Sequence, residues 1–179
     1  MSASQPDRDK AEAEIVWSGR FIEAKRLGKW EFVSRTRGIS AAAILAVDEG
    51  HVILVEQYRV PIAARCLELP AGLVGDQEQG EEAATAAIRE LEEETGYRAE
   101  RVVDLGRFHA SPGMSSEGFT LLRAEGLTKV GQGGGVEGED IAVHRVPLAQ
   151  VPAFVAERRA AGVAIDVKLL LLLSPGLLP

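Results

Sequence analysis

What this chain has little of narrows its options first. There is one cysteine, Cys66, so no disulfide can form within the sequence and a reducing, cytoplasmic setting is expected. Cys66 sits in the apolar run RCLELP and reads as a small core residue rather than a nucleophile. The three histidines, His51, His109 and His144, lack the spacing of metal ligands. Basic residues are outnumbered, 20 Lys and Arg against 27 Asp and Glu, and a net charge of −7 argues against broad binding to nucleic acid or anionic membranes. It leaves room for a small anion whose charge is neutralised locally. The leucine run Leu169–Leu173 is far too short to span a bilayer, and the polar opening MSASQPDRDKAEAE lacks the apolar centre of a signal peptide. Repeats and low-complexity linkers are missing too. With 179 residues, 46% hydrophobic and 26% charged, one globular domain with a small accessory element is expected.

Carboxylates are what the chain has in excess, and they are concentrated. The stretch Gly75–Tyr97, GDQEQGEEAATAAIRELEEETGY, holds eight acids in 23 residues. From about Glu82 to Thr95 it is free of Pro and Gly and rich in helix formers, and Gly96 supplies a stop. At 100° per residue, Glu90, Glu93 and Glu94 share one face, and Ala84, Ile88, Leu91 and Thr95 lie roughly opposite. Arg89 is spaced to pair with Glu93, but one cation cannot neutralise three acids gathered at the negative end of a helix. A hard divalent cation with oxygen ligands could. A merely solvated acidic face is the competing reading of the same charges.

Along the chain, residues 1–13 are expected to form a disordered tail. Residues 14–37 carry strand-like patterns with a turn near Leu27-Gly28-Lys29 and predict a small antiparallel element. SAAAILAV and HVILVEQYRV, joined by Asp48-Glu49-Gly50, predict a central hairpin. RVVDLGRFHA and EGFTLLRAE predict further strands around a Ser-Pro-Gly loop. Val130–Asp140 reads as a mobile, Gly-rich acidic loop, followed by a strand over Ile141–Val146. Helices are predicted over Leu148–Ala161 and Asp166–Leu173. Strands flanking a helix and then two more helices imply a mixed sheet between helical layers.

Gly75, Glu81, Arg89, Glu90, Leu91, Glu93, Glu94, Gly96 and Tyr97 fit the pattern G-x5-E-x7-R-E-U-x-E-E-x-G-U, where U is a bulky apolar or aromatic residue. The stretch resembles the Nudix box, the signature of the Nudix hydrolases. That resemblance implies an α/β fold, a Nudix-type α/β/α sandwich around a mixed β-sheet, spanning residues 38–179. It implies hydrolysis of a nucleoside diphosphate linked to another moiety, with Mg²⁺ as cofactor and Mn²⁺ as a possible substitute. Glu90 and Glu94 become the firmest metal ligands, with Glu93 third and the Ala71 carbonyl as an addition. Arg89 would orient Glu93, and Glu81 would serve mainly the helix start. The general base would be a glutamate of the late loop, Glu137 ahead of Glu139, unless both are simply solvated loop acids.

The segments EQYRVP, LELPAGL and WEFVSRTR, and Pro112 placed 16 residues after Gly96, are similar to the ADP-ribose pyrophosphatase branch of the family. This implies a homodimer that exchanges N-terminal strands, with Phe21 and Trp30 stacking on the adenine. Arg35 and Arg59 would approach the diphosphate or terminal ribose. Glu68 would hold a metal-site water or a loop, and Ser115-Ser116-Glu117 the terminal sugar. The bland alternatives are a half-buried sheet tryptophan and surface ion pairs. The implied reaction is Mg²⁺-dependent conversion of ADP-ribose to AMP and ribose 5-phosphate. GDP-mannose or UDP-glucose is the rival substrate, and a catalytically silent nucleotide sensor the rival class.

Overall fold

The structure, a computed structural model, describes residues 12–36, 39–74, 82–136 and 138–173. The expected N-terminal tail and Glu81 and Glu137 therefore lie outside the described residues.

The centre is the hairpin read from the sequence. Strand β4 (Ser40–Asp48) turns at Glu49 (φ 46°) and Gly50 (φ 74°) into β5 (His51–Arg59). Two consecutive left-handed residues are what a tight hairpin turn requires. Successive side chains leave a strand on opposite faces, so one run of apolar residues supplies two cores. Ile44 and Ile53 point into one cluster, with Ala86, Ala87 and Leu91; Leu45, Val52 and Leu54 point into the other, with Val151, Val155, Leu169 and Leu172.

Around the hairpin lie β6 (Ala64–Glu68), β7 (Ala71–Val74), β9 (Arg101–Phe108), β10 (Phe119–Glu125), β12 (Ala142–Pro147) and β13 (Ala164–Ile165), while β8 (Tyr97–Arg98) and β11 (Thr128–Lys129) pair antiparallel as a separate ribbon. Among the described residues the sheet runs β13-β6-β5-β4-β10-β9, with β7 added on β4 and β12 on β5. Pairing is mixed: β10 is parallel to β4 and β13 to β6, and the others are antiparallel. Helix α1 (Ala83–Thr95) covers one face. Helix α2 (Val151–Ala160) and a 3-10 segment, Val167–Leu173, cover the other. The expected sandwich is therefore present.

The last predicted helix, Asp166–Leu173, is present as a 3-10 segment over Val167–Leu173. Its buried residues, Leu169 and Leu172, recur every three residues while Leu170 faces solvent, the period of a 3-10 turn. A second sheet, β1 (Glu14–Ser18), β2 (Ile22–Leu27) and β3 (Trp30–Arg35), is the predicted N-terminal element, with an extra break at Gly19. It docks on the loop before β10. The Val33 N–H donates to Met114 O, the Ser116 N–H donates to Val33 O, and the Ser34 and Ser116 hydroxyls are 2.8 Å apart. No helix among the described residues is long and apolar enough to cross a membrane.

Candidate active site

Helix α1 forms as its sequence dictates. Leu91 is fully buried at the centre of its apolar side, and Gly96 ends it at φ 70°, its N–H donating to Glu92 O. The final carbonyls of a helix lack partners within it. Here the Gly-rich loop supplies them. Gly134 N–H donates to Glu94 O (2.8 Å), Gly135 N–H to Glu93 O (3.1 Å), and Val130 and Gly131 N–H to Gly96 O. Lys129 Nζ donates to Thr95 O (2.8 Å), a cation at the negative helix end. A Cβ on Gly133 would stand 2.4 Å from the Thr95 carbonyl carbon. The glycines, read from the sequence as marks of mobility, instead allow the loop to lie flat on the end of α1.

On the other side, β7 lies against the acidic face. Glu94 is buried and its Oε2 accepts from the Ala71 N–H at 3.1 Å. Burial raises its pKa to about 8; Glu90 and Glu139 add to the rise, while the Ala71 hydrogen bond and Arg59 oppose it. Gly72 makes room for Glu90, since a Cβ there would stand 2.1 Å from Glu90 Cγ. Arg89 Nη1 reaches both Glu90 Oε1 (3.0 Å) and Glu93 Oε2 (3.2 Å). Glu90 and Glu94 thus meet beside β7, whereas Glu93 and Arg89 line a separate hollow with Thr85, Ile88 and Val130. Among the described residues, three or more His, Cys, Asp or Glu side chains do not converge as a ready-made metal cluster. The hydrogen bonds explain this: Glu94 leans on Ala71 and the other two share Arg89. A hard divalent cation still fits the donors, because it would reverse the cost of ionising a buried carboxylate beside a like charge.

Glu139, the one loop candidate within the described residues, is exposed and turned onto its own loop, its Oε2 accepting from the Val136 N–H at 3.0 Å. The loop's far end is held by Arg65, which donates to Asp140 Oδ2 (2.8 Å) and to Glu56 Oε1 (3.0 Å). Glu56 is almost fully buried and also faces Arg158 Nη2 at 2.7 Å and His144 Nε2 at 3.4 Å.

A cleft of about 610 Å³ opens beside Ala71, Gly72 and Leu73. Arg35, Arg59 and Glu68 line it with Ala71, so four of the residues named from the sequence come together. Arg59 grips Glu68 with two bonds, Nε to Oε1 (2.6 Å) and Nη2 to Oε2 (2.8 Å), which leaves Nη1 for a ligand. Arg35 pairs with Glu117. Cys66 lines the cleft as a buried thiol pushed up to about 12 by burial, which suits an inert residue. Phe21 and Trp30 do not line it; they stand 54% and 56% exposed on the N-terminal sheet. Pro112 lies in the loop that docks that sheet, and its neighbours Ser111 and Ser115 line the cleft. Sequence reasoning missed Asp166 and Lys168, which also line it. Their local signal was an Asp two residues ahead of a Lys before a leucine run, and nothing in that spacing points to a cleft.

A mixed sheet between helical layers, with an acidic helix face beside a cleft of paired charges, is an α/β sandwich with a candidate active site beside β7. Residues 36–164 match the NUDIX domain, and the chain belongs to that family, as a Nudix hydrolase. It is 34% identical over 157 residues, 82% of each chain, to the methanol dehydrogenase activator of Bacillus methanolicus. It is 45% identical over 89 residues to the ADP-ribose pyrophosphatase of Bacillus subtilis, covering 49% of this chain and 46% of that one. The fold matches the crystal structure of an ADP compounds hydrolase with a TM-score of 0.66, over 90% of this chain and 89% of that one, at 24% identity.

Proposed function

We propose that the protein hydrolyses the diphosphate linkage of ADP-ribose, giving AMP and ribose 5-phosphate, in the reducing cytoplasm. The observation that carries this is the cleft itself. It brings Arg35, Arg59 and Glu68 to the strand that backs Glu90 and Glu94, so recognition of an anion adjoins a cation-seeking pair. The similarity to an ADP-ribose pyrophosphatase supports the choice of substrate.

Glu90 and Glu94, with Glu93 and the Ala71 carbonyl, would hold Mg²⁺, which Mn²⁺ could replace. The bound cation neutralises the diphosphate and favours water as nucleophile. The protein's own residues do the rest. Arg59, fixed by Glu68, offers its remaining donors to a phosphoryl oxygen, and Arg35 does the same from the N-terminal sheet. Arg89 holds Glu90 and Glu93 in orientation. A loop glutamate, Glu137 or Glu139, takes the proton of the attacking water; the new P–O bond forms as the bridging P–O bond breaks. The bonds from Val130, Gly131, Gly134 and Gly135 anchor the start of that loop on the end of α1, which supports a role for its glutamates.

The exposed apolar side chains of the N-terminal sheet and its turn, Ile15, Val16, Trp17, Phe21 and Trp30, support a homodimer in which the sheets meet and the aromatics reach the partner's base. The test is a panel of nucleoside diphosphate sugars with Mg²⁺. ADP-ribose should be turned over best, releasing AMP. Preference for GDP-mannose or UDP-glucose would overturn the substrate. No turnover of any member, with metal binding intact, would favour the nucleotide sensor.

A further inference from the structure

The cleft holds three basic side chains, and each is paired with its own acid: Arg35 with Glu117, Arg59 with Glu68, and Lys168 with Asp166. The third pair lies beyond residues 36–164, the span that matches the family. It reaches the cleft because β13 pairs parallel to β6 (Ile165 beside Leu67), which brings Asp166 next to the strand carrying Cys66 and Glu68. Asp166 is fixed there. Its N–H donates to Leu67 O at 3.0 Å, and its carboxylate accepts from the Lys168 N–H at 2.7 Å.

Lys168 is held by two partners. Its Nζ donates to Asp166 Oδ2 at 2.7 Å and stands 5.4 Å over the Phe119 ring, and that ring stacks on Phe108 at 5.9 Å. Most of its side chain is covered. An ammonium has three N–H donors, and Asp166 takes one. A lysine immobilised with donors remaining, on the wall of a cleft that carries two arginines, is built to receive an anion rather than to be solvated.

We infer that Lys168 is a specificity-determining residue that binds a phosphoryl oxygen of a nucleoside diphosphate in the cleft, with Asp166 and Phe119 as its positioning partners. The inference rests on the diphosphate reading above and adds a contact from outside the matched span. All three basic groups are already neutralised by acids, so the cleft is not an open positive patch. It selects ligands that take several oriented donors at once, which a diphosphate does and a monophosphate does less well.

The test compares wild type with K168M and K168R. Binding of ADP and of adenosine is measured calorimetrically, alongside KM and kcat for nucleotide sugars that differ in the terminal sugar. K168M should weaken ADP by about 10- to 100-fold, the range for a hydrogen bond to a charged group, and leave adenosine unchanged. Its KM should rise similarly for every terminal sugar, and K168R should recover part of the loss. Unchanged ADP affinity in K168M, or an effect confined to one terminal sugar, would overturn the inference. Should K168M melt early, K168R and D166N carry the same comparison, and equal weakening of ADP and adenosine in them would count against a phosphate contact. Failure of wild type to hydrolyse any panel member would sink the proposed activity instead, which the ADP titration separates from the role of Lys168.

Discussion

Replacing Gly72 by alanine tests whether Glu90 works where the fold puts it. Gly72 pairs with Ala42 in β7, and its backbone is not in the left-handed region, so alanine is conformationally acceptable there. The new methyl would lie 2.1 Å from Glu90 Cγ, 2.3 Å from Cδ and 2.7 Å from Oε1. Ordinary carbon contacts are about 3.5 Å, so the Glu90 side chain must retreat by about 1.4 Å or more. The three atoms nearest that methyl all belong to the Glu90 side chain rather than to backbone, so the fold should survive with a change in stability within about 1 kcal/mol. The carboxylate, however, leaves the space beside Glu94. A displacement on the order of 1 Å at a site that depends on orientation costs about 100-fold in rate, or about 2.7 kcal/mol of transition-state stabilisation. The assay is kcat for ADP-ribose across a Mg²⁺ titration, with a thermal melt alongside. Wild-type kcat and an unchanged Mg²⁺ response in G72A would refute the reasoning.

Three further outcomes are expected. Glu137→Gln should lower kcat by about 100-fold or more if Glu137 is the general base; an unchanged kcat removes it and directs the same test to Glu139. Trp30→Ala should raise KM for ADP-ribose about 5- to 100-fold with little change in kcat, from lost stacking, and wild-type KM together with a monomer in sedimentation would contradict the shared-site dimer. Acid should weaken the fold through Glu56 and His144. Burial pushes the Glu56 carboxyl up, but Arg65, Arg158 and His144 outweigh it and hold it below its ordinary 4.5, so its contribution is present above pH 4.5 and lost as pH falls further. Burial keeps His144 below its ordinary 6.5 despite Glu56, so the neutral ring is favoured and stability starts to fall below pH 6.5. Glu56→Gln should cost about 1 to 2 kcal/mol at pH 7 by leaving the partly exposed Arg65 and Arg158 short of a charged partner, and should flatten the decline below pH 4.5; urea melts at pH 7 and pH 4 with identical declines would contradict this.

Helix α1, its glycine stop and the β4–β5 hairpin were legible because their signals are local: a period of 3.6, a period of 2, and a turn chemistry. The N-terminal sheet was legible for the same reason. Convergence of Arg35, Arg59, Glu68 and Ala71 on one cleft could be anticipated through the family resemblance and not from spacing. What stayed hidden depends on long-range apposition. Lys168 and Asp166 reach the cleft through the pairing of β13 with β6. Arg65, Glu56 and Arg158 meet across three elements, and no window of sequence contains them together. The glycines of the late loop read as flexibility because local sequence cannot reveal the helix end they rest against. The leucine run showed a helix but not its type: two buried leucines three apart suit a 3-10 turn as well as an α-helix.

Glu94, buried and held on Ala71, is proposed to serve a cation that drives cleavage of a nucleotide diphosphate. The most direct measurement is release of AMP from ADP-ribose as Mg²⁺ is titrated, in wild type and Glu94→Gln. Wild type should show saturable activation by Mg²⁺. The variant should lose about 100-fold or more at limiting Mg²⁺, since partners one step further from a metal already cost 10- to 100-fold. A variant with wild-type activity at limiting Mg²⁺ would contradict the account.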